Sequence, residues 1–169
     1  RRSPPRVMYY ASDGTLRFSP RDLVSYLEGD FAAWCDRMYA ERARSGGTAS
    51  SRELSWATPD EDPEAALAAE KGREHEARYL ARVRAEHADL VEIAYGDPAG
   101  AERTLAAMSA GAAAIYQAQL ASDGWHGYAD FLFRCPGGCA CGSHHYAPWD
   151  TKLARSAKPY FLVQLCAYA

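Results

Sequence analysis

No stretch of the 169-residue chain approaches the roughly 18 uninterrupted apolar residues that a membrane helix requires. The N-terminal RRSPPRVMYY also lacks the apolar core of a secretory signal. Both absences point to a cytoplasmic protein without membrane contact. Positive charge is not in excess: the net charge is −3, so the overall field repels phosphate, and a nucleic-acid partner needs a local basic surface or bound cations. The polar bias of disorder is missing, with 48% hydrophobic and 24% charged residues. This length and composition fit a single domain over 1–169. Five cysteines, an odd number with no secretion signal, read as thiols or metal ligands and not as a disulfide framework. No internal repeat is present.

What is there alternates between helical and strand patterns. Ser19, Pro20 and Asp22 are an N-cap, a first-turn proline and a first-turn acid. Leu23, Tyr26, Leu27, Phe31, Trp34 and Met38 recur at helical spacing, with a break at Gly29–Asp30. Residues 19–61 therefore form an N-terminal helical region followed by a polar, turn-rich loop. Asp62 and Pro63 restart a helix through EAALAAEKGREHEARYLARVRAEH, LVEIAY is a short strand, and DPAGAERTLAAMSAG is a capped helix closing on Gly111. AAIYQAQL and WHGYADFLFR flank an Asp-Gly hairpin signal, HYAPWDTKLA reads as a further strand, and KPYFLVQLCAYA as a helix. The last three strands are expected to form a meander. The chain opens on Arg1 and stops at Ala169 inside a helical pattern, so a fragment is expected.

The chemistry-bearing residues gather at the end. In a strand, Asp150 and Lys152 project from one face. Pairing that strand with the one holding Asp130 brings two acids and an ammonium together. Clustered carboxylates repel one another and lose hydration, a situation that a divalent cation relieves. Oxygen ligands of this kind suit Mg²⁺ or Mn²⁺, which bind phosphate oxygens and acidify water. Taken singly, Asp-x-Lys is more often a surface ion pair, His75 a solvated histidine, and Gln164 with Tyr168 the polar edge of an amphipathic helix.

Together, GREHE, GYAD, WDTK and QLCAY, in this order, resemble the motifs of the RecB-like branch of the PD-(D/E)xK nuclease superfamily. FSPRDLVSYLEGDF and DTKLARSAKPYFLVQLCAYA are similar to the RecB-like nucleases associated with superfamily 1 helicases, and the likeness spans about residues 19–169. It implies an α/β restriction-endonuclease-like core over 62–169, with a mixed sheet flanked by helices. It implies that His75, Asp130 and Asp150 bind metal, with the Thr151 carbonyl as a further ligand. Lys152 is then the catalytic lysine, while Gln164, Tyr168 and Glu76 position DNA or support the site. Relatives often carry a 4Fe-4S cluster with one cysteine following the position of Glu28; here Gly29 stands there and Cys35 is displaced, so the cluster is left unassigned. The superfamily core also has one more strand, beyond Tyr168.

Cys135, Cys139 and Cys141, with His144 or His145, offer soft ligands for a tetrahedral Zn²⁺ site, although their C-x3-C-x-C spacing is not a common zinc knuckle and a glycine-rich turn with spare thiols is the alternative. Lys152, Arg155 and Lys158 flank the proposed site; Arg37, Arg42 and Arg44 read as solvated helix faces. The expectation is a metal-dependent deoxyribonuclease acting on DNA ends or single strands, in repair, recombination or defence, with a helicase partner. The alternatives are a non-catalytic DNA-binding or scaffold module of the same fold, and an RNA substrate.

Overall fold

The computed structural model describes residues 8–11, 13–45, 63–139 and 142–169. Near its start, β1 (Tyr9–Tyr10) pairs antiparallel with β2 (Leu16–Arg17), and Gly14 in the turn between them has φ 79°. Strands of two residues carry no alternation, so this pair is silent in the sequence pattern. Helices α1 (Pro20–Glu28) and α2 (Asp30–Arg44) divide at Gly29, as the helical spacing predicts. Asp22 is buried at 5% exposure. Its carboxylate accepts hydrogen bonds from the amide and hydroxyl of Ser19 at 2.6 and 2.8 Å and from the Met8 amide at 2.8 Å. One side chain thus fixes the entry to α1 and ties the preceding segment to it. The apolar stripe along these helices stays largely uncovered: Tyr26, Leu27, Phe31, Trp34 and Met38 are all exposed. The expected loop at 46–62 lies outside the described residues.

Helix α3 (Pro63–Glu86) leads into β3 (Val91–Glu92), α4 (Gly100–Ala110) and β4 (Ala114–Ser122). Gly111 terminates α4 in the left-handed region at φ 77°, and the amide of Ala112 returns to the Ala107 carbonyl. β4 and β5 (Trp125–Cys139) form the hairpin that Asp123–Gly124 encodes. Both turn residues have positive φ, at 47° and 85°, as a two-residue turn of the primed type requires. β6 (Gly142–Trp149) returns antiparallel to β5, and α5 (Pro159–Cys166) follows.

The result is α/β: a four-stranded sheet in the order β3-β4-β5-β6, with β3 and β4 parallel and the remaining pairs antiparallel. Alternation along the strands separates two cores. Ile115 and Leu132 join Ile93 and Ala107 of α4 on one face, while their chain neighbours Ala114 and Phe131 join Leu80 and Val83 of α3 on the other. Buried Thr104 stitches α4 to the sheet by accepting from the Gln119 amide at 3.0 Å. The upstream part of α3 does not share this burial, and Leu67 is exposed. No helix among the described residues is long and apolar enough to cross a membrane.

Candidate active site

The register of the β5–β6 hairpin builds the site. Its last ladder pair is Phe131 with Trp149, so the next position on each strand sets Asp130 opposite Asp150. Here the structure corrects the expected strand over HYAPWDTKLA: β6 stops at Trp149, and Asp150, Thr151 and Lys152 follow in irregular backbone. Like charges directly across a ladder are unfavourable, which suits an end to regular pairing at this point. Asp130, Asp150 and Lys152 are nevertheless brought together, through the turn of the chain and not through strand alternation.

Burial first, and then the adjoining Asp150 carboxyl through its proximity and charge, push the Asp130 carboxyl up to about 7. The Thr151 amide works in the opposite direction, donating to Asp130 Oδ2 at 2.9 Å, and the Thr151 hydroxyl donates to the same oxygen at 3.0 Å. The Asp150 side chain is 8% exposed, and Lys152 Nζ lies 2.6 Å from its Oδ2. The ammonium is not aligned along a hydrogen bond, so this buried oxygen has close charge but no directed donor. Lys152 also lies over the Phe161 ring, 5.7 Å from its centroid.

From α3, Glu76 enters the site. Its Oε1 accepts from Tyr116 Oη at 2.9 Å and Gln117 Nε2 at 2.6 Å, and its charge adds to the upward pressure on Asp130. Gln117 has φ 52°, uncommon for a residue with a side chain in a strand, and the distortion lets consecutive residues of β4 reach one carboxylate. Burial, followed by the bond to Glu76, raises the Tyr116 phenol. His75, the expected ligand, is half-buried next to Glu76 but about 100° around the helix. No group of three or more His, Cys, Asp or Glu side chains among the described residues is gathered to hold one metal ion, so His75 is not assembled with the two aspartates.

Gln164 lies in α5, whereas Tyr168 sits in the turn beyond its end, a correction to the expected single helix. The two still interact. Burial raises the Tyr168 phenol, hydrogen bonds to Gln164 and to the Tyr128 backbone lower it, and the charges of Asp150 and Asp130 raise it. Gly127 makes room for the ring: a Cβ there would stand 2.6 Å from Tyr168 Cε1. Tyr168 thus lies against β5 at Gly127, close enough to Asp150 and Asp130 for their charges to act on it.

The cysteine segment is not an open loop. β5 and β6 run through it, pairing Cys135 with His145 and Cys139 with Gly142 around a bulge. Cys139 Sγ donates to the His144 carbonyl at 2.8 Å, and His144 Nε2 lies 3.0 Å from the Met108 carbonyl. Cys141, one of the proposed zinc ligands, lies outside the described residues. Of the outlying basic residues, Arg37 and Arg44 pair with Glu41, in keeping with a solvated helix face.

Two hard carboxylates facing each other, one of them carrying a buried oxygen without a directed donor, form a donor set that fits a divalent cation. Tyr95, Tyr116, Gln117 and Tyr128 belong to none of the motifs; the two glutamines inside the mostly apolar AAIYQAQL, Gln117 and Gln119, are the one signal pointing toward them. Comparison with family models, curated proteins and solved structures gives no match to this chain.

Proposed function

We propose that the chain is a metal-dependent deoxyribonuclease with a PD-(D/E)xK-type site, hydrolysing phosphodiester bonds at Asp130, Asp150 and Lys152. The observation that carries this reading is the cross-strand opposition of two half-buried aspartates with a lysine ammonium 2.6 Å from one of them. An ordinary surface ion pair would not include a second acid held to about 7 by burial and by its neighbour. Asp130 and Asp150 would hold Mg²⁺ or Mn²⁺, which would supply charge neutralisation at the phosphate and a water acidic enough to attack.

The chain's own groups perform the remainder. Thr151 orients Asp130 through two hydrogen bonds, so that the free oxygen of this carboxyl is directed. Lys152, about one-third exposed, reaches both Asp150 and solvent and can stabilise negative charge developing on a substrate phosphate. Glu76 adds negative potential that strengthens cation binding, while Gln117 and Tyr116 hold it in place. Tyr168, packed over Gly127 and bonded to Gln164, braces the site from the turn that follows α5. Action on DNA ends or single strands, a helicase partner and a place in repair, recombination or defence belong to the same proposal and rest on the motif resemblance.

The test uses Lys152→Met, which keeps the aliphatic stem and deletes the charge. Mg²⁺-dependent cleavage of linear DNA should fall by roughly 100-fold or more, with a lower melting temperature because the nearly buried Asp150 loses its cationic partner. Cleavage equal to that of the unaltered protein would remove Lys152 from the mechanism. Absence of cleavage by the unaltered protein, together with metal-independent DNA binding, would favour the non-catalytic module.

A further inference from the structure

We propose that the cavity between α3, β4 and the segment after β3 seats an unpaired nucleobase of single-stranded DNA, stacked on Tyr95, next to the carboxylate pair. This rests on the nuclease reading and adds to it the form of the substrate. The cavity has a volume of about 390 Å³ and is lined by Arg73, Glu76, Leu80, Tyr95, Tyr116 and Gln117. That volume lies within the range of small-ligand sites, about 300–1,000 Å³. Glu76 belongs both to the cavity wall and to the set of charges acting on Asp130, so an occupant would stand beside the proposed scissile position.

Three features select a base over other groups. The Tyr95 ring is 55% exposed but not loose: it rests on Tyr128, with centroids 4.5 Å apart and planes at 32°. An aromatic ring already braced on one side loses little freedom when a second ring covers the other. Tyr128 is two residues before Asp130 on β5, a spacing that returns a strand side chain to the same face, so the aromatic pair and the carboxylate share one side of the strand. Finally, the Glu76 carboxylate inside the cavity repels a phosphate but accepts hydrogen bonds from base amino groups, while Arg73 at the wall can meet the backbone. Stacking is indifferent to base identity, so the pocket would tolerate sequence and discriminate against duplex, whose bases are already stacked and paired.

The experiment measures fluorescence anisotropy of labelled oligothymidine, the same strand with one central abasic position, and a duplex of equal length. Ca²⁺ replaces Mg²⁺ to suppress cleavage. Tyr95→Ala should weaken single-strand binding by about 10-fold, whereas Tyr95→Phe keeps it, and duplex binding is unchanged in both. The abasic strand should lose affinity for the unaltered protein but suffer little further loss with Tyr95→Ala. Single-strand affinity that is unchanged by Tyr95→Ala, or reduced equally by Tyr95→Phe, overturns the stacking. If the unaltered protein also cleaves with Mg²⁺, only the base pocket fails; if it neither binds nor cleaves DNA, the nuclease reading fails with it.

Discussion

Replacing Asp150 by asparagine should reduce Mg²⁺-dependent DNA cleavage by about 1,000-fold while making the folded protein more stable. The two effects have one cause. The Asp150 side chain is nearly buried and faces Asp130, so its negative charge raises the cost of ionising Asp130. An asparagine keeps the shape, removes one charge and offers an amide that can donate to the Asp130 carboxylate. Relief of the repulsion should stabilise the fold by about 1–3 kcal/mol at neutral pH, offset in part by loss of the Lys152 ion pair. Activity and stability therefore move in opposite directions. A merely structural Asp150–Lys152 pair predicts the reverse sign for stability, so chemical denaturation of Asp150→Asn beside a cleavage assay separates the two accounts.

The second large effect concerns pH. Asp130 in the folded protein ionises near 7, above its ordinary 3.8, so the folded state keeps a proton that the unfolded chain has released across this interval. This contribution is fully present below about 4 and is lost as pH rises through about 7. In EDTA, the part of stability that belongs to this site should fall between about pH 5 and 8 by a few kcal/mol, and Asp150→Asn should flatten the decline. The charged groups facing Asp130 are Asp150 and Glu76, both acidic, with Lys152 held at Asp150. Millimolar Mg²⁺ should restore the loss at about pH 8 and have little effect at about pH 5, where the proton occupies the pair. Melting curves across this range, with and without Mg²⁺, provide the check. A stabilisation by Mg²⁺ that does not depend on pH would place the cation elsewhere.

Much of the scaffold is legible in local chemistry. Gly111 ends α4 because the left-handed cap favours glycine, and Asp123–Gly124 makes the hairpin because both residues take positive φ. Ser19, Pro20 and Asp22 start α1 for reasons contained in four residues. The opposition of Asp130 and Asp150 is different in kind. It depends on a hairpin whose register is set nearly ten residues away on each strand, and it is anticipated by pairing the two strands and by the joint order of the motifs, not by any local pattern. The expected strand alternation of Asp150 and Lys152 does not occur, since β6 ends before them. His75 and Glu76 are adjacent in sequence, and periodicity alone does not decide which one enters a site when α3 is exposed along much of its length. Tyr95 and Tyr128 meet from segments more than 30 residues apart, and no local pattern reports that contact. The exposed stripe of Tyr26, Phe31 and Trp34 shows the converse: helical spacing of apolar residues does not by itself bury them.

The most direct test of the central claim is calorimetric titration of Mn²⁺ into the protein in buffers of different ionisation enthalpy, which counts the protons released on binding. If Asp130 and Asp150 share a proton that a cation displaces, about one proton should leave per ion bound near pH 6, falling toward zero near pH 9, and Asp150→Asn should abolish the binding. Binding with no proton release at either pH, or binding that survives Asp150→Asn unchanged, would contradict it.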